Sequence, residues 1–216
     1  MPEYTKFKEM EFEIQVRTIL QHTWAAIEHD RDFKFRGQLP ENLQRRFKIV
    51  AGALEVCEEH FERIAEEIKE YTKETSYQIK HGKLEGIPIN SYSLRLYLIE
   101  KFGDIPAFKS QYGLLWAKET FDELECLDIK TLQDLDKIIP AEFKEKYVNI
   151  QPPKHGTYLS RLVRHILTIY KTDDYFSRAW RGHYYELDSQ DHLVFTEFKV
   201  NMELIPDEIH FDCSNL

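Results

Sequence analysis

The sequence predicts an α+β fold that is predominantly α-helical, and three observations carry that expectation. Residues 12–17 alternate apolar and polar side chains and run directly into a helical pattern over 19–30. Apolar residues then recur at alternating steps of four and three from Leu43 to Tyr71. Beyond residue 90 the chain breaks into short stretches, most marked by a helix start or stop signal. One strand and two helices, the second long, are expected in residues 1–75. A mainly helical accessory domain is expected in 76–216.

Composition narrows the function classes. With 216 residues, 42% of them hydrophobic and 13% aromatic, the chain has material for a real core. The net charge of -9 argues against a general nucleic-acid or membrane-surface binder. It leaves room for a local phosphate site built from a few Arg and Lys. No run of about 18 apolar residues exists to span a membrane. The opening Met1-Pro2-Glu3-Tyr4-Thr5-Lys6 has no apolar signal core. Cys57, Cys126 and Cys213 are odd in number and far apart, which disfavours a disulfide framework or zinc knuckle. A cytoplasmic location is expected.

In chain order, Phe12, Ile14 and Val16 fall on one face of the expected strand, and Glu13, Gln15 and Arg17 on the other. Thr18 offers a helix N-cap, with Gln21 at capping-box spacing. The helix that follows stripes Leu20, Trp24 and Ile27, and is expected to end within 30–33, before the basic Lys34-Phe35-Arg36-Gly37. Pro40 suits a first helical position, with Glu41 beside it. The run Leu43, Phe47, Val50, Leu54, Cys57, Phe61, Ile64, Ile68, Tyr71 predicts a helix of about 30 residues, roughly 45 Å long. A coiled coil competes, but Phe47, Cys57, Phe61 and Tyr71 are poor seam residues.

Residues 72–89 are polar and punctuated by Gly82, Gly86 and Pro88, and are read as a linker. Asn90 or Ser91 caps a helix closed by Gly103, and Thr131 caps a short one. Further helices are expected over 107–121, from Pro140, over 157–170, and from an Asp173 cap to Trp180. Residues 193–200, rich in Val and Phe, suggest a strand.

Glu13, Gln15 and Arg17 are the chemistry-bearing set. A carboxylate on a rigid strand can hold Mg²⁺ or take a proton from a sugar hydroxyl. An Arg nearby can clamp a phosphate in bidentate fashion. On spacing alone, the plainer reading is a half-exposed strand whose polar face meets water. His22 and His29 stand two helical turns apart, too far to share one metal. His29 sits where it either favours the helix dipole or binds a ligand. Lys34, Arg36, Arg45 and Arg46 suit a polyphosphate or a solvated face. Farther on, Arg161, Arg164, His165, Lys171, Arg178 and Arg181 interleave with six aromatics, a pattern that fits nucleic-acid stacking. The acidic residues among them point instead to a helical core with a polar rim. No Gly-rich phosphate loop, Ser/His/Asp set or Cys/His cluster is present.

The run Phe12-Glu13-Ile14-Gln15-Val16-Arg17-Thr18, continuing through His22-Thr23-Trp24-Ala25-Ala26-Ile27-Glu28-His29-Asp30, resembles the RelA/SpoT-type alarmone synthetases. So do the run of residues 2–8, Lys34, Leu39-Pro40 and Arg45-Arg46-Phe47. The shape E-I-Q-x-R-T followed by W-A-x-x-E-H carries the likeness, which extends over roughly residues 2–70. It implies that residues 1–75 are the C-terminal portion of a mixed-sheet, nucleotidyltransferase-like synthetase domain. It also implies a GTP pyrophosphokinase, moving the β,γ-pyrophosphoryl group of ATP onto the 3′-hydroxyl of GDP or GTP. Glu13 would stand beside that hydroxyl as base or through Mg²⁺. Gln15 and Arg17 would line the nucleotide and phosphate site, and His29 matches the end of the second motif. The family's basic ATP-binding segment, second acidic residue and guanine-stacking Gly-Tyr loop do not occur in this chain. The chain alone is therefore expected to form no (p)ppGpp. The alternative is a non-catalytic helical regulatory or oligomerisation module that keeps a decayed site, with a homo-oligomer as its partner.

Overall fold

The computed structural model describes residues 10–11, 13–34, 39–105, 117–150, 158–180 and 189–206. These fall into two compact units, residues 1–70 and 71–216. The chain is predominantly helical. The expected strand is absent, because residues 13–18 carry no regular secondary structure and Phe12 lies outside the described residues. A strand exists through ladder hydrogen bonds to a neighbour. Among the described residues no strand lies beside this segment, and Ile14 and Val16 are 75% and 90% exposed.

In the first unit, α1 (Ile19–Lys34) is followed by α2 (Glu41–Lys80), within which the division of the chain falls. Thr18 and Gln21 form the expected reciprocal box. The Gln21 N–H donates to Thr18 Oγ1 at 3.1 Å, and the Thr18 N–H donates to Gln21 Oε1 at 3.3 Å. Pro40 opens α2 by accepting from the Leu43 and Gln44 amides. Trp24 of α1 meets Phe47 of α2 edge-on, with centroids 5.6 Å apart. None of the described residues in 10–70 is fully buried.

α2 is longer than the spacing predicts, at 40 residues, and absorbs the first half of the expected linker. Full burial along α2 begins only past Tyr71, at Thr75 and Ile79. The helix ends where the Lys83 amide donates to Gln78 O and the Gly82 amide to Ile79 O. Gly82, at φ +68, takes the left-handed position that this ending requires.

The second unit contains the core. α3 (Ser91–Phe102) begins at Asn90, whose side chain accepts from the Tyr92 and Ser93 amides, and stops at Gly103 as expected. α4 (Ala117–Cys126), α5 (Leu132–Ile138) and α6 (Phe143–Asn149) follow. The start expected for a helix at 107 lies outside the described residues. Thr131 caps α5 in a reciprocal box with Asp134. An isolated antiparallel bridge, Pro88 with Thr131, ties the turn before α3 to the start of α5.

α7 (Leu159–Tyr170) is the central element. Leu159, Leu162, Val163, Ile166 and Leu167 are all buried along it. It packs against α4 and α9 (Ser189–Glu197), and against the continuation of its own C-terminus, α8 (Thr172–Asp174). The helix expected to start at Asp173 is one turn of α8 followed by a π-helical turn, Tyr175–Ala179, in which the Trp180 amide donates to Tyr175 O at 2.7 Å. The strand expected over 193–200 is a second correction. That segment forms most of α9, whose Val194 and Phe195 are buried, and packing against α7 overrides its β-rich composition.

Candidate functional site

The segment 13–17 precedes the first turn of α1 without regular secondary structure, and all five residues are exposed. Gln15 donates its side-chain amide to the Glu13 carboxylate at 3.0 Å. The alternation that places them two residues apart thus brings this pair together without a strand. Arg17 directly precedes the Thr18 cap. His29 lies exposed on α1 and is not hydrogen-bonded to Glu13, Gln15 or Arg17. Arg45 and Arg46 are exposed on the second turn of α2, while Arg36 lies outside the described residues.

Glu58 is a residue that sequence reasoning missed. It stands on α2 and binds both members of the α1 cap. Thr18 Oγ1 donates to one carboxylate oxygen, and Gln21 Nε2 donates to the other at 3.0 Å. Beside these bonds a cleft of about 470 Å³ opens between the two helices of this unit, lined by Leu20, Trp24, Lys48, Gly52, Glu55 and Glu58 among others. The available signal was local. Glu58 is one of many acids on a charged helix face, and only the contact over 40 residues of sequence sets it apart.

As a cation site, the 13–17 segment offers a single carboxylate whose acceptor capacity is partly used by Gln15. Mg²⁺ is commonly held by one or two carboxylates together with substrate phosphates, so Glu13 fits such a role but not that of a complete protein cage. Among the described residues no group of three His, Cys, Asp or Glu side chains could hold a metal.

A second polar constellation lies in the core of the other unit. Arg164 of α7 makes two bonds to Glu123 of α4, Nε to Oε2 at 3.0 Å and Nη2 to Oε1 at 3.1 Å. Arg161 clamps Asp191 of α9, with Nε to Oδ1 at 2.9 Å and Nη2 to Oδ2 at 2.8 Å. His165 Nε2 also meets Asp191 Oδ1 at 2.6 Å, and His165 Nδ1 meets the Tyr147 hydroxyl of α6 at 2.7 Å. Burial pushes the Glu123 carboxyl upward against the opposing pull of Arg164. Burial, and then the charge of Glu123, push the Tyr175 hydroxyl well above its ordinary value. The Tyr175 and Thr120 hydroxyls are buried without a hydrogen-bond partner of normal geometry. The basic residues that suggested nucleic-acid stacking are therefore divided. Arg164 and His165 are interior and paired with acids, which is the polar-core alternative. Arg178 is exposed, and Arg181 lies outside the described residues.

No helix among the described residues is long and apolar enough to cross a membrane. Compared with known proteins, part of the chain is similar to the GTP pyrophosphokinase YjbM of Bacillus subtilis (strain 168), at 34% identity over 58 residues. That match spans 27% of this chain and 28% of the relative. No protein-family model matches the chain, and no solved structure matches it.

Proposed function

We propose that residues 10–70 are a segment of a RelA/SpoT-type synthetase site that contacts a guanine nucleotide polyphosphate. The observation that carries this reading is the exposed Glu13–Gln15 pair followed by Arg17 at the cap of α1, together with the partial likeness to a GTP pyrophosphokinase. Glu13 faces the acceptor 3′-hydroxyl of GDP or GTP, as a base or through Mg²⁺. The ion, when bound, neutralises charge on the phosphates. Gln15 orients the Glu13 carboxylate by donating to it, and Arg17 pairs with a phosphate. His29 contributes to binding from α1. ATP is the donor in the complete reaction. In-line pyrophosphoryl transfer needs two nucleotides held against each other. One carboxylate and one Arg on a single exposed segment hold at most one of them.

The chain by itself therefore binds GDP with Mg²⁺ but does not form ppGpp. Calorimetry with GDP, and nucleotide separation after incubation with ATP, GDP and Mg²⁺, test the two halves of that statement. Formation of ppGpp by the purified chain overturns the second half. Absence of GDP binding, or binding unchanged by Arg17→Ala, overturns the first.

One observation favours a second reading, a non-catalytic oligomerisation module. On α2, Phe61, Ile64 and Ile68 are 63%, 50% and 57% exposed at heptad spacing. Under this reading the chain self-associates, GDP does not bind, and Ile64→Glu returns the protein to a monomer in analytical ultracentrifugation.

A further inference from the structure

We infer that Glu58 is a positioning residue that fixes the nucleotide-contacting segment 13–17 by anchoring the cap of α1 to α2. This rests on the reading of 13–17 as a nucleotide-contacting segment, and it adds a residue outside the motif that suggested that reading.

A capping box is normally a local device. It joins the cap residue and the third helical residue and says nothing about the rest of the fold. Here both members of the box also reach a third residue, and their bonds are complementary. Gln21 uses its backbone amide on Thr18 Oγ1, its side-chain oxygen on the Thr18 amide, and its side-chain amide on Glu58 Oε2. The Thr18 hydroxyl accepts from Gln21 and donates to Glu58 Oε1. One carboxylate oxygen of Glu58 thus receives its donor from Thr18 and the other from Gln21. With the His22 amide donating to Thr18 O, the backbone at Thr18 is held from several sides.

Arg17 is the residue immediately outside this cap. Its direction of exit, and with it the aim of Gln15 and Glu13, follows from the dihedrals that the cap holds. The segment is exposed and has no pairing strand among the described residues, so the cap is where it joins the body of the unit. Because both Glu58 oxygens are engaged by α1, the carboxylate acts through the segment rather than on a ligand.

The test combines two readouts on the full chain. Backbone ¹⁵N relaxation gives order parameters for residues 13–17, and calorimetry gives the affinity for GDP with Mg²⁺. Glu58→Ala is expected to lower the order parameters of 13–17 while those of α2 hold, and to weaken GDP binding about tenfold, the scale of losing a charged hydrogen bond. Glu58→Gln keeps an acceptor oxygen for Thr18 and is expected to fall between. If Glu58 acts through Arg17, most of the loss disappears when Glu58→Ala is made in an Arg17→Ala background.

Unchanged order parameters in Glu58→Ala overturn the inference, as does a loss of affinity that adds in full to that of Arg17→Ala. If the wild-type chain does not bind GDP, the functional reading falls. The order parameters then still decide whether Glu58 positions the segment.

Discussion

At the scale of single residues, the deepest commitments of the chain are ionic. Glu123 and Arg164 are buried and joined by two bonds. Removing one member leaves an uncompensated charge in the core, which typically costs about 3–5 kcal/mol. Arg164→Ala should lower the unfolding free energy of the second unit by that order, read from urea denaturation. The paired replacement Glu123→Leu with Arg164→Met removes both charges and should be near neutral or stabilising. A destabilisation of the double variant as large as that of the single would show that the pair is favourable beyond mutual compensation. Asp191 is the more connected acid, since it receives both Arg161 and His165. These pairings were not legible in the sequence. The sequence pointed to a helical core with a polar rim around Arg161, Arg164 and His165 but could not name their partners, because the carboxylates that meet them come from helices 26–41 residues away.

At the scale of elements, three helices end in one geometry, and the sequence is fitted to it unequally. α2 places Gly82 at the left-handed position, whereas α4 places Asp128 and α9 places Lys199, both at φ 58. In α9 the Val200 amide donates to Phe195 O and the Lys199 amide to Thr196 O, the same pair of bonds as at the end of α2. A side chain in this region costs on the order of 1–2 kcal/mol, part of which Gly gives back in the unfolded chain. Lys199→Gly should therefore stabilise the protein by about 0.5–1 kcal/mol, read as a rise in melting temperature. Gly52 is the converse case. It lies inside α2, and a Cβ there would meet nothing within 4 Å. Gly52→Ala should strengthen α2 by about 1 kcal/mol, read by amide exchange through the helix.

At the scale of the whole molecule, burial is unevenly distributed. Among the described residues the buried apolar ones all lie in the second unit, and none in 10–70 is fully buried. Amides of α3 and α7 should therefore exchange slowly, through global opening. Those of α1 should exchange through local opening at much lower free energy. Equal protection in α1 and α7 would contradict that distribution. Acid stability should depend on Asp136, which joins α5 to α3 through Lys101 and the Tyr97 hydroxyl. Burial raises its pKa, but the bonds from Lys101 and Tyr97 outweigh burial and leave the carboxyl below its ordinary value. A group depressed in the folded state stabilises above its unfolded value, and that contribution is lost as pH falls from about 4 through the folded value. Asp136→Asn should flatten this part of the acid limb in a pH series of urea midpoints.

The sequence by itself determined what is local. The capped starts at Thr18, Asn90 and Thr131, the stop at Gly103, and the long stripe of α2 each depend on residues within a turn or two, so spacing and side-chain chemistry suffice. It also paired Glu13 with Gln15, because any extended backbone brings residues two apart to the same side. Only the tertiary structure decided the rest. Residues 13–18 alternate as a strand does, but a strand is a relation to a neighbour, and none lies beside them among the described residues. Residues of 193–200 have strand-forming side chains, but burying Val194 and Phe195 in a helix packed on α7 outweighs their propensity. Glu58 carries no mark in the sequence. Its role follows from where α2 passes the first turn of α1, and hydrogen bonds across that distance follow from packing, not from pattern.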